Sequence, residues 1–191
     1  KLVYSKLRHA MGGRVTHAIS GGAALGARLG HFYRGLGLII LEGYGLTETS
    51  PLISATKPYF PGVKFGSVGI VPDELEVKIA EDGEILCKGP NIMKGYYNRP
   101  DLTAEVMDAE GWFHTGDIGE MTPDGFLRIT DRKKEIFKTS TGKYVAPQII
   151  ENLFKESPFI EKIMVVGECR HFVSALVIPS FEYLESWSNA K

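Results

Sequence analysis

The beginning of the chain carries the pattern that most constrains its fold: two short apolar segments separated by a glycine-led helical segment. After a loose helical period over residues 1–11, residues 14–20 read as a short strand. Residues 21–25 form a turn that opens a helix extending to about Leu36, and residues 38–41 are a continuous apolar run. Such a run is typical of a strand buried in a parallel sheet. Strand, helix and strand in succession predict a βαβ unit at the edge of an α/β subdomain.

Residues 56–130 have a different pattern, in which short apolar runs are separated by Pro, Gly and Asp. The runs at residues 74–80, 83–89 and 125–130 alternate or cluster apolar side chains. The sequences between them favour turns, because Asp and Gly tolerate the backbone conformations that tight turns need. This part predicts a small antiparallel sheet or barrel, with one short helix near residues 99–107.

The last part of the chain predicts a small α+β domain. It opens with the charged segment 131–138 and a loop rich in Ser, Thr and Gly, and an amphipathic helix follows from Pro147. Two strands and the start of another helix come next. The predicted fold class is α+β in three portions: the βαβ edge (residues 1–55), the barrel-like sheet (56–130) and part of a C-terminal domain (131–191).

Composition excludes several classes of function. The net charge is −1, so no basic excess points to nucleic acid as a partner. Cys87 and Cys169 lack a CxxC spacing and the five histidines are scattered, which argues against a zinc site and fits a reducing compartment. No apolar run approaches the roughly 18 residues that a membrane-spanning helix needs. We expect a cytoplasmic protein that acts on small molecules, either free or peripheral to a membrane.

The segment LEGYGLTETSP, residues 41–51, is the first candidate site. Its glycines follow a strand, but no lysine follows within reach, as a nucleotide-triphosphate loop would require. Thr47 or Thr49 could simply cap a helix. The same geometry could bind an anion through free N–H groups and a hydroxyl, and Glu48 beside a phosphate would then need Mg²⁺ between them. From the residues alone, both interpretations stay open.

Three further segments each allow a structural and a functional interpretation. SGGAAL, residues 20–25, makes a helix-opening turn, and its small residues would also let a flat ligand come close. Asp117 in GWFHTGDIG, placed after a strand and turn, could cap the turn or accept hydrogen bonds from a ribose diol. Arg132 in DRKKEIFK could be a solvated charge or a forked contact to phosphate or ribose. For His114, packing or solvent exposure is the better interpretation.

In this order and spacing, the segments resemble those of the AMP-forming adenylating enzymes, the superfamily of acyl-CoA synthetases, firefly luciferase and peptide-synthetase adenylation domains. Within it, the sequence looks most like long-chain fatty acid–CoA ligases. The matching segments are SGGAAL, GYGLTETSP, GEILCKGPNIMKGYYNRP, GWFHTGDIG and DRKKEIFKTSTGKYVAP.

The resemblance implies formation of an acyl-adenylate from ATP and a fatty acid, with release of pyrophosphate, and then transfer of the acyl group to CoA. Such a site catalyses mainly by positioning and charge stabilisation. The implied catalytic residues are Thr47, on the α-phosphate, and Glu48, as the Mg²⁺ ligand. The implied ATP- or AMP-binding residues are Gly21, Gly22, Ala23 and Ala24 along the adenine, Gly43, Tyr44 and Gly45 with Tyr44 stacked on the base, and Asp117 and Arg132 at the ribose or phosphate.

The resemblance also implies a hinge at Asp131, about which the C-terminal domain swings between an adenylating and a thioester-forming orientation. Gly142 and Lys143 would lie in the loop that faces CoA, where glycine allows close approach. The family's loop for the β- and γ-phosphates and its C-terminal lysine have no counterpart in this sequence. We therefore expect the chain to be a piece of a longer enzyme and to be inactive by itself.

Two alternatives remain open beside the fatty acid–CoA ligase. One is an adenylating enzyme for an aryl or amino acid, and the other is a non-catalytic interaction module that retains the fold. The joint presence of Thr47, Glu48, Asp117 and Arg132 argues against the module. An excised βαβ edge would leave apolar surface bare, so we also expect a homodimer or self-association of the chain.

Overall fold

The computed structural model describes residues 2–23, 25–59 and 62–189. Its internal contacts divide the chain into two compact units, and each is described by itself. The first unit comprises residues 1–115 and 119–129, and the second comprises residues 116–118 and 130–191. In the described ranges, none of the helices combines the length and apolar character needed to cross a membrane.

The first unit begins with the predicted βαβ arrangement. Helix α1 (Leu2–Ala10) precedes strand β1 (His17–Ser20), helix α2 (Ala27–Gly35) and strand β2 (Ile39–Tyr44). The two strands run parallel, with Ala18 opposite Ile40 and Ser20 opposite Glu42. This confirms the α/β edge, although α2 starts later than predicted because the glycine-rich turn after β1 is longer. Ala24 lies outside the described residues.

Strand β2 extends three residues past the apolar run that predicted it. A 3₁₀ turn (Thr47–Thr49) follows, and the two-residue strand β3 (Ser54–Ala55) returns antiparallel to β2. The return is closed by backbone hydrogen bonds, from the Ile53 amide to the Tyr44 carbonyl at 2.7 Å and from the Thr56 amide to the Glu42 carbonyl at 2.8 Å. These bonds explain why polar residues continue a strand that began as an apolar one.

A four-stranded sheet forms the second layer, in the order β4-β5-β6-β7. Its elements are β4 (Glu76–Ile79), β5 (Glu84–Lys88), β6 (Phe113–Met121) and β7 (Leu127–Arg132), with helix α3 (Pro100–Val106) between β5 and β6. Strands β4 and β5 pair antiparallel. The predicted small sheet with one short helix is confirmed.

Strand β6 corrects one detail of the prediction. Asp117 does not follow a strand and turn, because it lies in the middle of β6. The strand escapes detection since its inward positions are occupied by Phe113, Asp117 and Gly119 rather than by a series of apolar side chains. Gly119 is required by close packing: an added Cβ would overlap the carbonyl oxygen of Arg128.

The core of the first unit joins the sheet to the segment that follows β2. Its fully covered members, each at 0% exposure, are Ile53, Ile85, Cys87 and Leu127, and Phe113 and Tyr44 pack with them. Burial raises the pKa of the Cys87 thiol to about 12, so this thiol serves as packing. The core therefore fixes the end of the turn after β2 against the sheet.

The second unit contains a short hairpin, a helix, a two-stranded sheet and a final helix. These are β8 (Phe137–Lys138), β9 (Tyr144–Val145), α4 (Pro147–Phe154), β10 (Ile160–Val166), β11 (Ser174–Pro179) and α5 (Phe181–Asn189). Strands β10 and β11 pair antiparallel. Phe159 packs edge-on against Tyr183 and Trp187 of α5. The predicted portion boundaries at residues 55 and 130 stay predictions.

Gly69 provides a test of how closely the segments of the first unit approach each other. Its φ is +94°, and an added Cβ would overlap the carbonyl group of Ala55. We predict that Gly69→Ala lowers the free energy of unfolding by roughly 2–5 kcal/mol, because overpacking costs about 1–3 kcal/mol and a left-handed backbone about 1–2 kcal/mol. Urea titration measures the change.

Gly66 is the matched control for this substitution. Its φ is +78°, but an added Cβ would meet nothing within 4 Å. Gly66→Ala should cost only the backbone term, about 1–2 kcal/mol. Equal costs at the two positions would contradict the close approach of Gly69 to Ala55.

Candidate functional site

Two glycine-containing turns lie at one edge of the parallel strand pair. Strand β1 ends at Ser20 and β2 ends at Tyr44, so the turns that follow start at the carboxyl ends of neighbouring parallel strands. An ideal Cβ on Gly21 would lie 3.4 Å from the carbonyl oxygen of Gly43, which shows how close the two segments are. Crevices beyond the carboxyl ends of parallel strands are the usual ligand sites of α/β sheets.

Glu42 fastens the first of these turns, and sequence reasoning missed it. Its carboxylate accepts a hydrogen bond from the Leu25 amide at 3.2 Å, and its own amide donates to the Thr56 hydroxyl at 2.6 Å. Burial raises the pKa of the Glu42 carboxyl, while the Leu25 N–H lowers it. The available signal was an acidic residue at the end of an apolar strand, a position that a carboxylate occupies only with partners.

Gly45 and Tyr44 are constrained by packing. An added Cβ on Gly45 would overlap the carbonyl oxygen of Pro51, so no other residue fits this point of the turn. Tyr44 is 8% exposed and packs with the core. Its ring is therefore held firmly, and a base could reach only the small part that stays accessible. Gly22, at φ +80°, and Ala23 are exposed in the first turn.

The threonines at positions 47 and 49 have different environments. Thr49 is 0% exposed; its hydroxyl accepts a hydrogen bond from the Leu46 amide at 2.9 Å and lies 3.0 Å from the Leu46 carbonyl oxygen, to which it donates. Thr47 is exposed. Thr49 therefore closes the turn from its last position, whereas the residue at the N-cap is Leu46 and no longer helix follows. Thr47 presents its hydroxyl to the surroundings.

Glu48 sits between these threonines and is held from a distant loop. The Tyr96 hydroxyl donates to Glu48 Oε1 at 2.8 Å, and the Met93 amide donates to the Glu48 carbonyl at 2.8 Å. Among the described residues, no cluster of three His, Cys, Asp or Glu side chains could hold a metal ion. A cation at Glu48 would thus depend on ligand oxygens, which fits Mg²⁺, since it takes one or two carboxylates together with phosphate oxygens.

Asn91 makes the other contact between this loop and the turn. Its side-chain amide donates to the carbonyl oxygens of Thr49 and Leu52, both at 2.7 Å. Asn91 and Tyr96 were not singled out from the sequence, because they lie in an aperiodic loop 39 to 48 residues away from their partners.

Asp117 and Arg132 are brought together in the second unit. Asp117 is 6% exposed, and its Oδ1 lies 3.5 Å from Nε of Arg132, whose side chain is 57% exposed. The two residues lie on the neighbouring strands β6 and β7. A carboxylate and a guanidinium side by side can accept and donate hydrogen bonds to one polar ligand.

Asp131, the predicted hinge residue, is buried at 1% exposure. Its Oδ1 accepts a hydrogen bond from the Arg132 amide at 2.6 Å, whereas Oδ2 has no hydrogen-bond partner in the ranges that the structure describes. Burial raises the pKa of the Asp131 carboxyl; the Arg132 N–H opposes this rise, and the charges of Glu135 and Glu151 add to it. Keeping the Asp131 carboxylate ionised in the folded protein therefore lowers the free energy of unfolding.

The predicted CoA-facing loop connects β8 to β9. Gly142 has φ +85° and its amide donates to the Thr139 carbonyl at 2.9 Å. The Thr139 hydroxyl accepts from the Lys143 amide at 3.1 Å, and the Lys143 side chain is exposed. The loop is thus a closed turn at a left-handed glycine, with a cation at its surface.

His114 is better partnered than the sequence suggested. Its Nδ1 lies 3.0 Å from Oε2 of Glu84, a carboxylate buried at 4% exposure. Its Nε2 lies 3.9 Å from Oδ2 of Asp108. The histidine thus links β6 to β5 through Glu84 and has a structural role in the sheet.

Comparison with known proteins defines the class of protein. Residues 2–97, about half of the chain, match the AMP-binding enzyme family, and residues 134–190 match the AMP-binding enzyme C-terminal domain. The chain belongs to the AMP-binding enzyme family.

The curated relatives include several long-chain-fatty-acid–CoA ligases. The chain is 47% identical over 187 residues to long-chain-fatty-acid–CoA ligase FadD15 of Mycobacterium bovis, covering 98% of this chain and 31% of the relative. It is 38% identical over 204 residues to human long-chain-fatty-acid–CoA ligase 1, covering 100% of this chain and 29% of the relative. The chain thus spans 29–31% of the length of these relatives.

Two solved structures share the fold. One is the adenylation domain of a carboxylic acid reductase from Segniliparus rugosus in complex with AMP and a co-purified carboxylic acid, with a TM-score of 0.78 and 29% identity over 97% of this chain and 30% of that chain. The other is O-succinylbenzoate CoA synthetase from Bacillus subtilis in complex with ATP and a magnesium ion. Its TM-score is 0.76 at 26% identity, over 94% of this chain and 44% of that chain.

The raised pKa of Asp131 yields a test with a defined sign. Because the folded-state pKa lies above the unfolded one, stability is full below the unfolded value and is lost as pH rises through the folded value. We predict that Asp131→Asn increases the free energy of unfolding at pH 7. Its advantage should shrink as the pH falls through the folded-state pKa and should change no further below the ordinary value of 3.8. Urea titrations between pH 3 and pH 8 measure both effects.

Asp124→Asn is the control of opposite sign. The Lys64 ammonium, at 2.6 Å, lowers the pKa of the exposed Asp124 carboxyl. The stabilisation from this ion pair is therefore present above the unfolded-state pKa and is lost as the pH falls through the folded-state pKa. This variant should be no more stable than the wild type at pH 7. A less stable Asp131→Asn protein at pH 7 would contradict the account of Asp131.

Proposed function

We propose that this chain provides part of the active site of an AMP-forming long-chain fatty acid–CoA ligase. A carboxylate oxygen of the fatty acid attacks the α-phosphorus of ATP, the bond from that phosphorus to the bridging oxygen breaks, and pyrophosphate leaves. The CoA sulfur then attacks the acyl carbon and AMP leaves. The observation that carries this proposal is the turn at Thr47 and Glu48, which places an exposed hydroxyl beside a fastened carboxylate.

In this proposal the first unit binds the base and the phosphate. Gly21, Gly22 and Ala23 lie along the adenine, and Gly43 and Gly45 let the nucleotide approach the backbone. Tyr44 contacts the base with the part of its ring that remains accessible. Thr47 and Glu48 are the catalytic residues.

Thr47 donates a hydrogen bond to the α-phosphate, where negative charge accumulates during attack. Glu48 would hold Mg²⁺, which supplies charge neutralisation at the phosphates when bound. A carboxylate so near a phosphate is unfavourable without a cation, and the lone carboxylate suits a cation that takes its other ligands from the nucleotide. The B. subtilis relative with bound ATP and magnesium supports this assignment.

The second unit has separate roles in the proposal. Asp117 accepts hydrogen bonds from the ribose hydroxyls, and Arg132 contacts ribose or phosphate. Asp131 acts as the hinge residue, and Gly142 and Lys143 face CoA. These roles are supported by the pairing of Asp117 with Arg132 and by the exposed turn at Gly142.

The fatty-acid substrate is supported by the identity of the relatives, whereas the solved structures support adenylate formation on other carboxylic acids too. An enzyme for an aryl or amino acid is therefore the second candidate. We further propose a cytoplasmic location, which the free cysteines fit. Self-association of the chain stays a prediction, supported by the exposure of Leu176, Val177 and Ile178 at 65%, 46% and 48%.

The substrate class can be tested with the intact protein, meaning the longer enzyme of which this chain is expected to be a piece. The assay measures exchange of labelled pyrophosphate into ATP. Palmitate should stimulate the exchange, and CoA should then yield palmitoyl-CoA and AMP. Stimulation by benzoate or an amino acid in place of palmitate would favour the second candidate. The absence of exchange with any carboxylate would contradict adenylate formation and favour a non-catalytic module.

The Thr47 hydroxyl gives a sharper test. A hydrogen bond to a charged group contributes about 1.5–3 kcal/mol, so Thr47→Ala in the intact protein should lower kcat/KM for ATP by about tenfold to a hundredfold. Thr47→Ser keeps the hydroxyl and should retain most of the activity. If alanine is as active as serine at this position, the α-phosphate contact is wrong.

A further inference from the structure

The loop of residues 91–96 fastens the turn that carries Thr47 and Glu48. Two side chains and one backbone amide of this loop make the hydrogen bonds. Asn91 donates to the carbonyls of Thr49 and Leu52, and the Met93 amide donates to the carbonyl of Glu48. These three hydrogen bonds all end on backbone carbonyl oxygens, and a fourth bond from the loop is described next. All the residues involved belong to the first unit.

The fourth bond differs because it holds a functional side chain. The Tyr96 hydroxyl donates to Oε1 of Glu48 at 2.8 Å. Oε2 has no hydrogen-bond partner in the ranges that the structure describes. The carboxylate is therefore fixed through one oxygen while the other remains available.

A fixed carboxylate and a mobile one would bind a cation differently. A free glutamate side chain loses considerable rotational freedom when a ligand immobilises it, which can weaken binding by up to roughly thirtyfold. A partner that orients the carboxylate in advance removes part of this loss, as residues around metal ligands commonly do. Tyr96 is placed to do this because its bond leaves Oε2 free.

We propose that Tyr96 is a positioning residue that orients the Glu48 carboxylate toward the divalent cation of the nucleotide. The proposal rests on the function proposed above for Glu48. It assigns to the segment KGYYNRP a role at the metal, while Tyr96 itself touches neither the nucleotide nor the acyl group.

The next residue in the chain offers a matched control. Tyr97 is 92% exposed, and within the described part of the chain its hydroxyl makes no hydrogen bond, ion pair or ring contact. Tyr96→Phe and Tyr97→Phe remove the same atom from neighbouring positions. Only the first should alter cation binding.

The experiment measures Mn²⁺ binding to the intact protein by electron paramagnetic resonance, with α,β-methylene-ATP present. We expect Tyr96→Phe to raise the Mn²⁺ dissociation constant roughly three- to thirtyfold, since the variant loses part or all of the advance orientation of Glu48. The Mg²⁺ concentration for half-maximal pyrophosphate exchange should rise by a similar factor. For Tyr97→Phe, both the KM for palmitate and the thermal midpoint of unfolding should match those of the wild type.

A second pair of variants separates the donor from the shape of the side chain. At position 96, 4-aminophenylalanine retains a donor and 4-methylphenylalanine does not, although the two are nearly the same size. The amine should restore Mn²⁺ affinity and the methyl group should not. This pair keeps the test valid if phenylalanine disturbs folding.

Three outcomes of these experiments would contradict the positioning role of Tyr96. Unchanged Mn²⁺ affinity in Tyr96→Phe, equal affinity in the amino and methyl variants, or a lower kcat with the same Mg²⁺ requirement would each overturn the positioning role. Failure of the proposed function looks different: the wild type itself would show neither nucleotide-dependent Mn²⁺ binding nor pyrophosphate exchange.

Discussion

The candidate site depends on the closure of the chain between Tyr44 and Ile53. The chain leaves β2 at Tyr44 and comes back beside it at Ile53. There the Ile53 amide donates a hydrogen bond to the Tyr44 carbonyl. Ile53 is fully buried in the core, and Gly45 lies so close to Pro51 that it has no room for a side chain. The intervening residues form a closed loop with few accessible conformations. A preorganised loop of this kind loses little freedom when it binds a ligand.

Three buried or fastened carboxylates explain how the fold keeps its polar groups in place. Glu42 accepts from Leu25 and holds the first turn, Glu48 accepts from Tyr96, and Asp131 accepts from Arg132. Burial disfavours the charged forms of Glu42 and Asp131. Oδ2 of Asp131 is fully buried and has no hydrogen-bond partner among the described residues. A conformational change that exposed Asp131 would relieve its desolvation, which is consistent with its place at a proposed hinge.

Much of the fold could be predicted from local patterns. The apolar run at residues 38–41 identified a parallel strand, although residues 39–41 are only half-buried. Pro147 marked the start of α4. Strand β6 could not be recognised, because Asp117 and Gly119 occupy inward positions where apolar residues signal a strand. Its buried carboxylate becomes intelligible only beside Arg132, which the sheet brings to 3.5 Å.

The motifs of the candidate site are visible in the sequence, but the residues that hold it in place are not. Thr47 and Glu48 stand out as candidates, whereas the different environments of Thr47 and Thr49 depend on the three-dimensional turn. Tyr96 and Asn91 come from a loop without periodicity, and their contacts span 48 and 42 residues of sequence to Glu48 and Thr49. Contacts of this separation leave no local pattern, since nothing in the neighbouring residues depends on them.

The most direct test of the account is a crystal structure of the intact protein with AMP. The account predicts a phosphate oxygen about 3 Å from the Thr47 hydroxyl, as in an ordinary hydrogen bond. It also predicts the base beside Gly21–Gly22 and the turn unchanged from Gly45 to Leu52. AMP bound elsewhere, with its phosphate remote from Thr47, would contradict it.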